Sequence, residues 1–124
     1  MRRVPLRTDL TVLSACQTGR GKFVRGEGVM SLTRAFMFAG APRVIVSLWG
    51  VEDAATAFLM RAFYRERNAG RGTAAALRLA QIAVRDHEVE ETTSEPGKPP
   101  QTHKVRPWSD PTYWAAWVLW GLPD

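Results

Sequence analysis

Two apolar runs separated by an amphipathic segment constrain the fold of this chain most strongly. The first run, Leu10 to Ala15, lacks a clean alternation of apolar and polar side chains, which is typical of a strand covered on both faces of a parallel sheet. The second run, Arg43 to Trp49, is β-branched and almost wholly apolar, as a buried strand is. Between them, apolar residues at helical spacing predict a helix over about Val29 to Ala39. We therefore predict a βαβ unit whose two strands are parallel and adjacent.

The rest of the chain predicts further helices and strands around this unit. Helical spacing of apolar residues covers Ala54 to Arg67 and Ala74 to about Arg85, and Thr73 is placed to cap the second of these helices. Residues 86–107 carry an acidic cluster followed by Ser, Pro, Gly and Lys, which predicts a flexible surface loop. Tyr113 to Trp120 predicts a buried closing strand. Because the first strand needs a neighbour on each side, we expect later segments of the chain to supply them.

Composition narrows the classes of function. The 124 residues are 45% hydrophobic and 23% charged, as in an ordinary soluble domain, and we expect a single domain over residues 1–124. No apolar run is long enough to span a membrane and the N-terminus lacks a secretory signal, so a cytoplasmic location is expected.

The glycine-rich segment Gln17 to Gly28 lacks the spacing of a phosphate-binding loop. We expect no cofactor and no metal.

A positive net charge raises the possibility of an anionic partner. The formal net charge is +5, and Arg20, Lys22 and Arg25 cluster within the glycine-rich segment. Most other arginines are scattered along the predicted helix faces, and no recognisable nucleic-acid module accompanies them. A solvated surface is the better interpretation, and we expect no nucleic-acid partner.

Cys16, the single cysteine, follows the first strand and has two interpretations. It is either a small buried apolar residue or a nucleophile whose sulfur projects at the edge of the sheet, beside backbone N–H groups that hold an oxyanion. A thiol nucleophile requires a base, usually histidine. The two histidines, His87 and His103, fall in an acidic stretch and in the predicted loop, and we interpret both as exposed surface residues.

Two carboxylates near the predicted strand ends also have open roles. Asp53 follows the second strand, where its side chain is suited either to cap the next helix or to pair with a basic substrate side chain. Glu27 lies between Gly26 and Gly28, where it either favours the N-terminus of the helix or contacts a ligand.

Several motifs occur in an order that resembles the C-terminal half of a CHAT domain. They extend over nearly the whole chain outside the predicted loop. The motifs are Leu13-Ser14-Ala15-Cys16-Gln17-Thr18-Gly19, Gly26-Glu27-Gly28-Val29, Arg34-Ala35-Phe36, Ala39-Gly40-Ala41, Val46-Ser47-Leu48-Trp49 with Val51 and Asp53, Phe63-Tyr64, Ala76-Leu77-Arg78, Ala80-Gln81, and Tyr113-Trp114-Ala115-Ala116-Trp117-Val118-Leu119.

The resemblance implies a caspase-like α/β fold, a three-layer αβα sandwich with a mostly parallel sheet, shared with separases and caspases. In that superfamily a Cys–His dyad cleaves peptide bonds, and Cys16 matches the nucleophile of the Ser-Ala-Cys motif. Asp53 matches the final Asp of a separase pattern that lines a pocket for a basic P1 side chain, and Glu27 is a further candidate there. The family histidine precedes the cysteine strand and is absent from this sequence, so only part of the sandwich is expected.

Two hypotheses of function follow. The first is the C-terminal portion of a cysteine endopeptidase with a protein or peptide substrate, inactive without the upstream half that carries the histidine. The chain would then be a fragment, which we favour, a subunit completed by another chain, or a non-catalytic relic. The alternative is a non-catalytic protein-interaction module of the same fold that binds peptide segments or partner domains. Family members are often joined to tetratricopeptide-type repeats, so such a repeat region is one expected partner.

Overall fold

The computed structural model describes residues 8–14 and 27–124, which form a mixed α/β fold. The elements in chain order are β1 (Thr11–Leu13), α1 (Glu27–Phe38), β2 (Arg43–Ser47), α2 (Asp53–Asn68), α3 (Thr73–Asp86), β3 (Val89–Thr93), β4 (Gln101–Val105), α4 (Pro111–Trp114) and β5 (Trp117–Gly121).

The predicted βαβ unit is confirmed. Strands β1 and β2 are parallel neighbours, with Val12 opposite Ile45 and Leu13 opposite Val46, and α1 connects them in sequence. After α1 the chain reverses at Gly40, whose φ of 118° is a backbone conformation that glycine adopts readily and other residues disfavour.

The sheet is not mostly parallel in the part of the chain that the structure describes. Its order is β1-β2-β5, and β5 runs antiparallel to β2, with Leu119 opposite Ile45. The predicted closing strand begins later than expected, because Asp110 and Pro111 start the helical turn α4 before the chain enters β5 at Trp117. This turn delivers β5 beside Ser47, at the carboxyl end of β2, so that β5 can only run back along it.

The main core lies between the sheet and the helix pair α2 and α3, which pack against each other. Ile45 joins this core, whereas Val44 and Val46, which alternate with it, are also buried but belong to the other face of the sheet. Helix α1 contacts β2, and none of its described side chains joins the α2–α3 core. Strand β2 is therefore covered on both faces. The buried core residues are Ile45, Val51, Ala55, Leu59, Ala62, Phe63, Ala76, Leu77, Ala80, Val84, Ala116 and Trp117.

The prediction that Thr73 caps α3 is wrong, because the side chain that accepts the hydrogen bonds at the start of this helix is that of Asp124. Thr73 is the first residue of α3 and is buried, and its side chain donates a hydrogen bond instead of accepting one. The acceptor is Asp124, whose carboxylate receives the Thr73 backbone N–H at 2.8 Å and the Thr73 hydroxyl at 2.5 Å. A residue 51 positions away thus satisfies the free N–H at the start of the helix.

Residues 89–105 form a β-hairpin, where we predicted a flexible surface loop over residues 86–107. Strands β3 and β4 are antiparallel, and the hydroxyls of Thr92 and Thr102 lie 3.2 Å apart. All their side chains are exposed except Val105, which is half-buried, so the surface location agrees with the prediction. The composition of these residues indicates a loop. Pairing between the strands, as of Glu90 opposite Lys104, nevertheless gives them a regular structure.

Candidate functional site

The carboxyl ends of β1 and β2 meet at one edge of the sheet because the two strands are parallel. Strand β1 ends at Leu13, opposite Val46, and β2 ends one residue later at Ser47. Cys16 follows Leu13 by three positions and lies outside the described residues. The structure therefore describes this edge from the β2 side, along the connection from Leu48 to Glu52.

Two hydrogen bonds hold that connection against the segment before β5. The Leu48 backbone N–H donates to the carbonyl oxygen of Ala116 at 2.8 Å. The indole Nε1–H of Trp49 donates to the carbonyl oxygen of Thr112 at 2.9 Å. Trp49 nevertheless keeps 38% of its surface exposed, so a large aromatic ring is fixed at the surface where β2 ends.

The partner of Trp49 belongs to a turn that is encoded locally. Asp110 is the N-cap of α4, and its carboxylate accepts the backbone N–H of Thr112 at 2.9 Å and the Thr112 hydroxyl at 2.5 Å. These two bonds, the hydroxyl bond first, hold the pKa of the Asp110 carboxyl below its ordinary value. Pro111 occupies the start of the turn, where its missing N–H is not needed.

Gln81 connects the same segment to α3. Its side-chain amide donates to the carbonyl oxygens of Trp114, at 2.9 Å, and Trp117, at 3.1 Å, and the side chain is half-buried. From the sequence we predicted no role for Gln81 beyond its place in the Ala80-Gln81 motif. A polar side chain immediately beside buried Ala80 was the available signal, because a half-buried amide must find hydrogen-bond partners.

Asp53 lies at the same edge, one position further into the helix than the predicted cap. The residue before α2 is Glu52, which makes no side-chain capping bond, and Asp53 is the first helical residue. Its carboxylate complements the dipole of the helix there. Among residues 8–14 and 27–124, the carboxylate of Asp53 has no hydrogen-bond or ion-pair partner, and the side chain is exposed.

The other acidic candidate is placed only by its backbone. Glu27 is the first residue of α1, and its side chain lies outside the part of the structure that is described. Of the three residues that we predicted for the site, the structure therefore places the side chain of Asp53, the backbone of Glu27, and neither part of Cys16.

The two histidines differ in their surroundings. His103 is exposed on β4, with its Nε2 3.9 Å from a carboxylate oxygen of Glu91, as expected for a surface residue. His87 is half-buried, and its ring stacks on Trp108 at a centroid distance of 4.8 Å and lies 4.6 Å from the ring of Phe58. The prediction of an exposed His87 is wrong because this aromatic cluster covers it at the base of the hairpin.

The described ranges contain neither a candidate metal site nor a candidate membrane-spanning helix. No group of three or more His, Cys, Asp and Glu residues comes together there in a way that could hold a metal ion. None of the helices described combines the length and the apolarity needed to cross a membrane.

Comparison with known proteins identifies the family. The family model for the CHAT domain matches residues 1–122. The chain belongs to the CHAT domain family. This CHAT chain is 36% identical over 116 residues to tetratricopeptide repeat protein 28 of Homo sapiens, and 34% identical to the protein of the same name from Mus musculus. Each match covers 94% of this chain but only 4% of the relative, so the chain spans a small part of those proteins. No solved structure matches it.

Proposed function

We propose that this CHAT chain is the C-terminal portion of a caspase-like cysteine endopeptidase. The observation that carries the proposal is the parallel pairing of β1 with β2, because it brings the residues that follow both strands toward one edge of the sheet. Cys16 follows one of these strands and Asp53 the other. The family match supports the assignment of Cys16 as the nucleophile.

In the proposed reaction, the Cys16 thiolate attacks the scissile carbonyl carbon and a covalent acyl-enzyme forms as the amine leaves. Backbone N–H groups beside the cysteine stabilise the oxyanion, and a histidine takes the thiol proton and passes it to the leaving amine. The exposed carboxylate of Asp53, together with Glu27, pairs with a basic P1 side chain.

The proposed histidine comes from an upstream half of the domain that adds to the free side of β1. Within the described residues β1 has a neighbour on one side only, and its residues are half-buried, whereas Val44 to Ser47 of β2 are fully buried. A strand added beside β1 would extend the sheet toward the three-layer αβα architecture of caspases. We also propose a cytoplasmic location, since a single cysteine suits a reducing compartment.

The test compares a longer protein that includes the upstream region with the 124-residue chain, using peptide substrates with Arg or citrulline at P1. We expect cleavage after Arg by the longer protein only, complete loss with Cys16→Ala, and a loss of about tenfold or more for the Arg substrate with Asp53→Asn. Glu95→Gln, in the exposed hairpin turn, is the matched control. Equal cleavage by the Cys16→Ala protein would refute the assignment of Cys16 as the nucleophile. Cys16-dependent cleavage by the 124-residue chain would refute the requirement for an upstream histidine.

The second candidate is a non-catalytic protein-interaction module with a CHAT fold. It is favoured by the similarity to two proteins named for tetratricopeptide repeats and by apolar side chains such as Leu122, which is 63% exposed. The partner would be a tetratricopeptide-type repeat region. Saturable binding of this chain to such a region, together with no cleavage by the longer protein, would favour the module over the peptidase.

A further inference from the structure

Trp49 is an exposed ring that is held in one position. It lies outside the hydrophobic core cluster, with 38% of its surface exposed, yet its indole N–H is bound to the Thr112 carbonyl oxygen at 2.9 Å. A tryptophan that serves only to fill a core is buried, whereas the N–H of this ring is anchored while more than a third of its surface stays exposed. The ring follows Ser47, the last residue of β2, and precedes Asp53 by four positions along the chain.

The acceptor of the Trp49 hydrogen bond is held in place by contacts that do not involve Trp49. Asp110 caps α4 through both the backbone N–H and the hydroxyl of Thr112. Gln81 binds the carbonyl oxygens at Trp114 and Trp117, on the other side of the turn. The α4 turn is thus held in place by its Asp110 cap and by Gln81 of α3. The Thr112 carbonyl oxygen in this turn is therefore a fixed acceptor for the indole N–H of Trp49.

We infer that Trp49 is a further binding residue for the basic side chain of the substrate and that Asp110 is the positioning residue that fixes it. The inference rests on the proposed function, because it concerns the pocket assigned to Asp53. The face of an indole ring attracts a cation and packs against the methylene stem that carries it, while the Asp53 carboxylate supplies the opposite charge. A planar guanidinium stacks on such a ring better than an ammonium group does, so arginine is preferred to lysine.

The binding test uses the 124-residue chain and three probes: N-acetyl-arginine amide, N-acetyl-lysine amide and the neutral isostere N-acetyl-citrulline amide. The reporters are two resonances in a nitrogen–proton NMR spectrum. One is the indole N–H of Trp49, assigned from its loss in Trp49→Phe, and the other is the backbone N–H of Asp53, which reports binding in the variants that lack the indole. We expect the arginine probe to shift this resonance most and the citrulline probe least. Trp49→Leu is expected to weaken arginine binding about fivefold and Trp49→Phe less, because phenylalanine keeps an aromatic face.

Trp120 provides the matched control for loss of an exposed tryptophan. It is 40% exposed on β5 and is paired with Val44, near the other end of β2. Trp120→Leu is expected to leave arginine binding unchanged. An equal loss in Trp120→Leu and Trp49→Leu would mean that the effect is general and would overturn the inference.

Asp110 is tested by substitution and conservative rescue. Asp110→Ala removes the acceptor for Thr112, and we expect faster hydrogen exchange at the Trp49 indole together with weaker discrimination of arginine from citrulline. Asp110→Asn keeps an oxygen that accepts from the Thr112 backbone N–H, and is expected to restore most of both. A purely structural role for Asp110 would lower thermal stability while leaving indole exchange and discrimination unchanged.

Two sets of binding results distinguish failure of the role of Trp49 from failure of the proposed basic pocket. If arginine binds and Asp53→Asn weakens it while both Trp49 variants bind normally, the role of Trp49 is overturned and the basic pocket stands. If the arginine probe does not bind, or binds equally well to Asp53→Asn, the basic pocket and the role of Trp49 both fail.

Discussion

A cluster of charged residues closes the end of the sheet opposite the candidate site. Asp9, before β1, accepts hydrogen bonds from Arg43 at 2.6 Å and from Arg67 at 2.5 Å. The carboxylate of Asp124 lies 3.4 Å from Arg43 Nε and also receives both donors of Thr73. Because the side chain of Arg43 is only 11% exposed, its charge depends on these carboxylates for compensation. Four residues distant in sequence are thereby joined to the start of α3.

Asp124 is expected to make stability depend on pH. Its pKa is held below the ordinary value, first by the hydrogen bond from the Thr73 hydroxyl and then by the Thr73 backbone N–H. A carboxyl whose folded pKa is lowered stabilises the fold above its unfolded pKa, about 3.9 for Asp, and this contribution is lost as the pH falls through the folded value. In urea unfolding, the stability advantage of the native chain over Asp124→Asn should be full near about pH 7 and should be smaller near about pH 2, below the unfolded pKa.

A control for this pH dependence is Glu95→Gln in the exposed hairpin turn, which should follow the native chain at both pH values. A stability advantage over Asp124→Asn that is the same at both pH values would show that the Asp124 charge does not contribute.

Gln81 is expected to stabilise the connection between α3 and β5. Gln81→Glu keeps the shape but removes both amide donors and turns a carboxylate toward the carbonyl oxygens of Trp114 and Trp117. We expect the free energy of unfolding to fall by about 1–3 kcal/mol, the cost of leaving partly buried polar groups without partners. Chemical denaturation measures it, with Gln101→Glu on exposed β4 as the control. Equal losses in the two variants would argue against the bridging role.

At the scale of elements, the β3–β4 hairpin is an arm held mainly at its base. Its two strands pair with each other and bury no side chain fully. At the base, His87 stacks on Trp108, and Arg106 lies 3.2 Å from Glu88. Trp108 also packs against the main core. A two-stranded hairpin alone is marginally stable, so its order depends on these base contacts.

Removing the arm while keeping its base is expected to change stability little. Replacement of residues 90–104 by a short Gly-Ser turn should alter the Tm by less than about 3 °C, because substitutions of exposed side chains change stability by about 0.5 kcal/mol or less. Trp108→Ala, in contrast, removes a ring packed on Phe58 and His87 and should cost about 1–3 kcal/mol. Thermal unfolding followed by circular dichroism distinguishes the two. A larger loss from the arm deletion than from Trp108→Ala would contradict this interpretation.

At the scale of the whole molecule, the sheet is asymmetric about β2. Strand β5 covers one side of β2 and β1 the other, so the later segments of the described chain do not supply the second neighbour that we expected for β1. The expectation fails because the α4 turn directs β5 along β2 instead. An unpaired strand edge carries free N–H and C=O groups and accepts a further strand.

The proposed upstream strand makes a prediction about the backbone of β1. In a longer protein that includes the upstream region, the amides of Thr11 to Leu13 that point away from β2 should exchange with solvent at least about tenfold more slowly than in the 124-residue chain. Hydrogen exchange measured by NMR would show it. The outward amides of β5, at the other edge, are the internal control. Unchanged exchange in β1 would refute strand addition at this edge.

The sequence by itself determined the elements whose signals are local. The apolar spacing of Leu59, Ala62 and Phe63 and the Gly40 stop depend on residues a few positions apart, so the bounds of α1, α2 and α3 follow closely from the chain. The strand–helix–strand order also predicted the parallel pair and, with it, the edge that Asp53 occupies. These features follow from backbone geometry and from the need to bury one face of each element.

Only the tertiary structure decided the features that join distant parts of the chain. The Asp124 cap on Thr73, the contact of Trp49 with Thr112, and the antiparallel direction of β5 each join residues that no local pattern relates. Such contacts form once packing of the apolar faces has brought the elements together. Only in the assembled fold does a hydrogen bond between distant residues offset the conformational entropy that is lost when those residues are ordered.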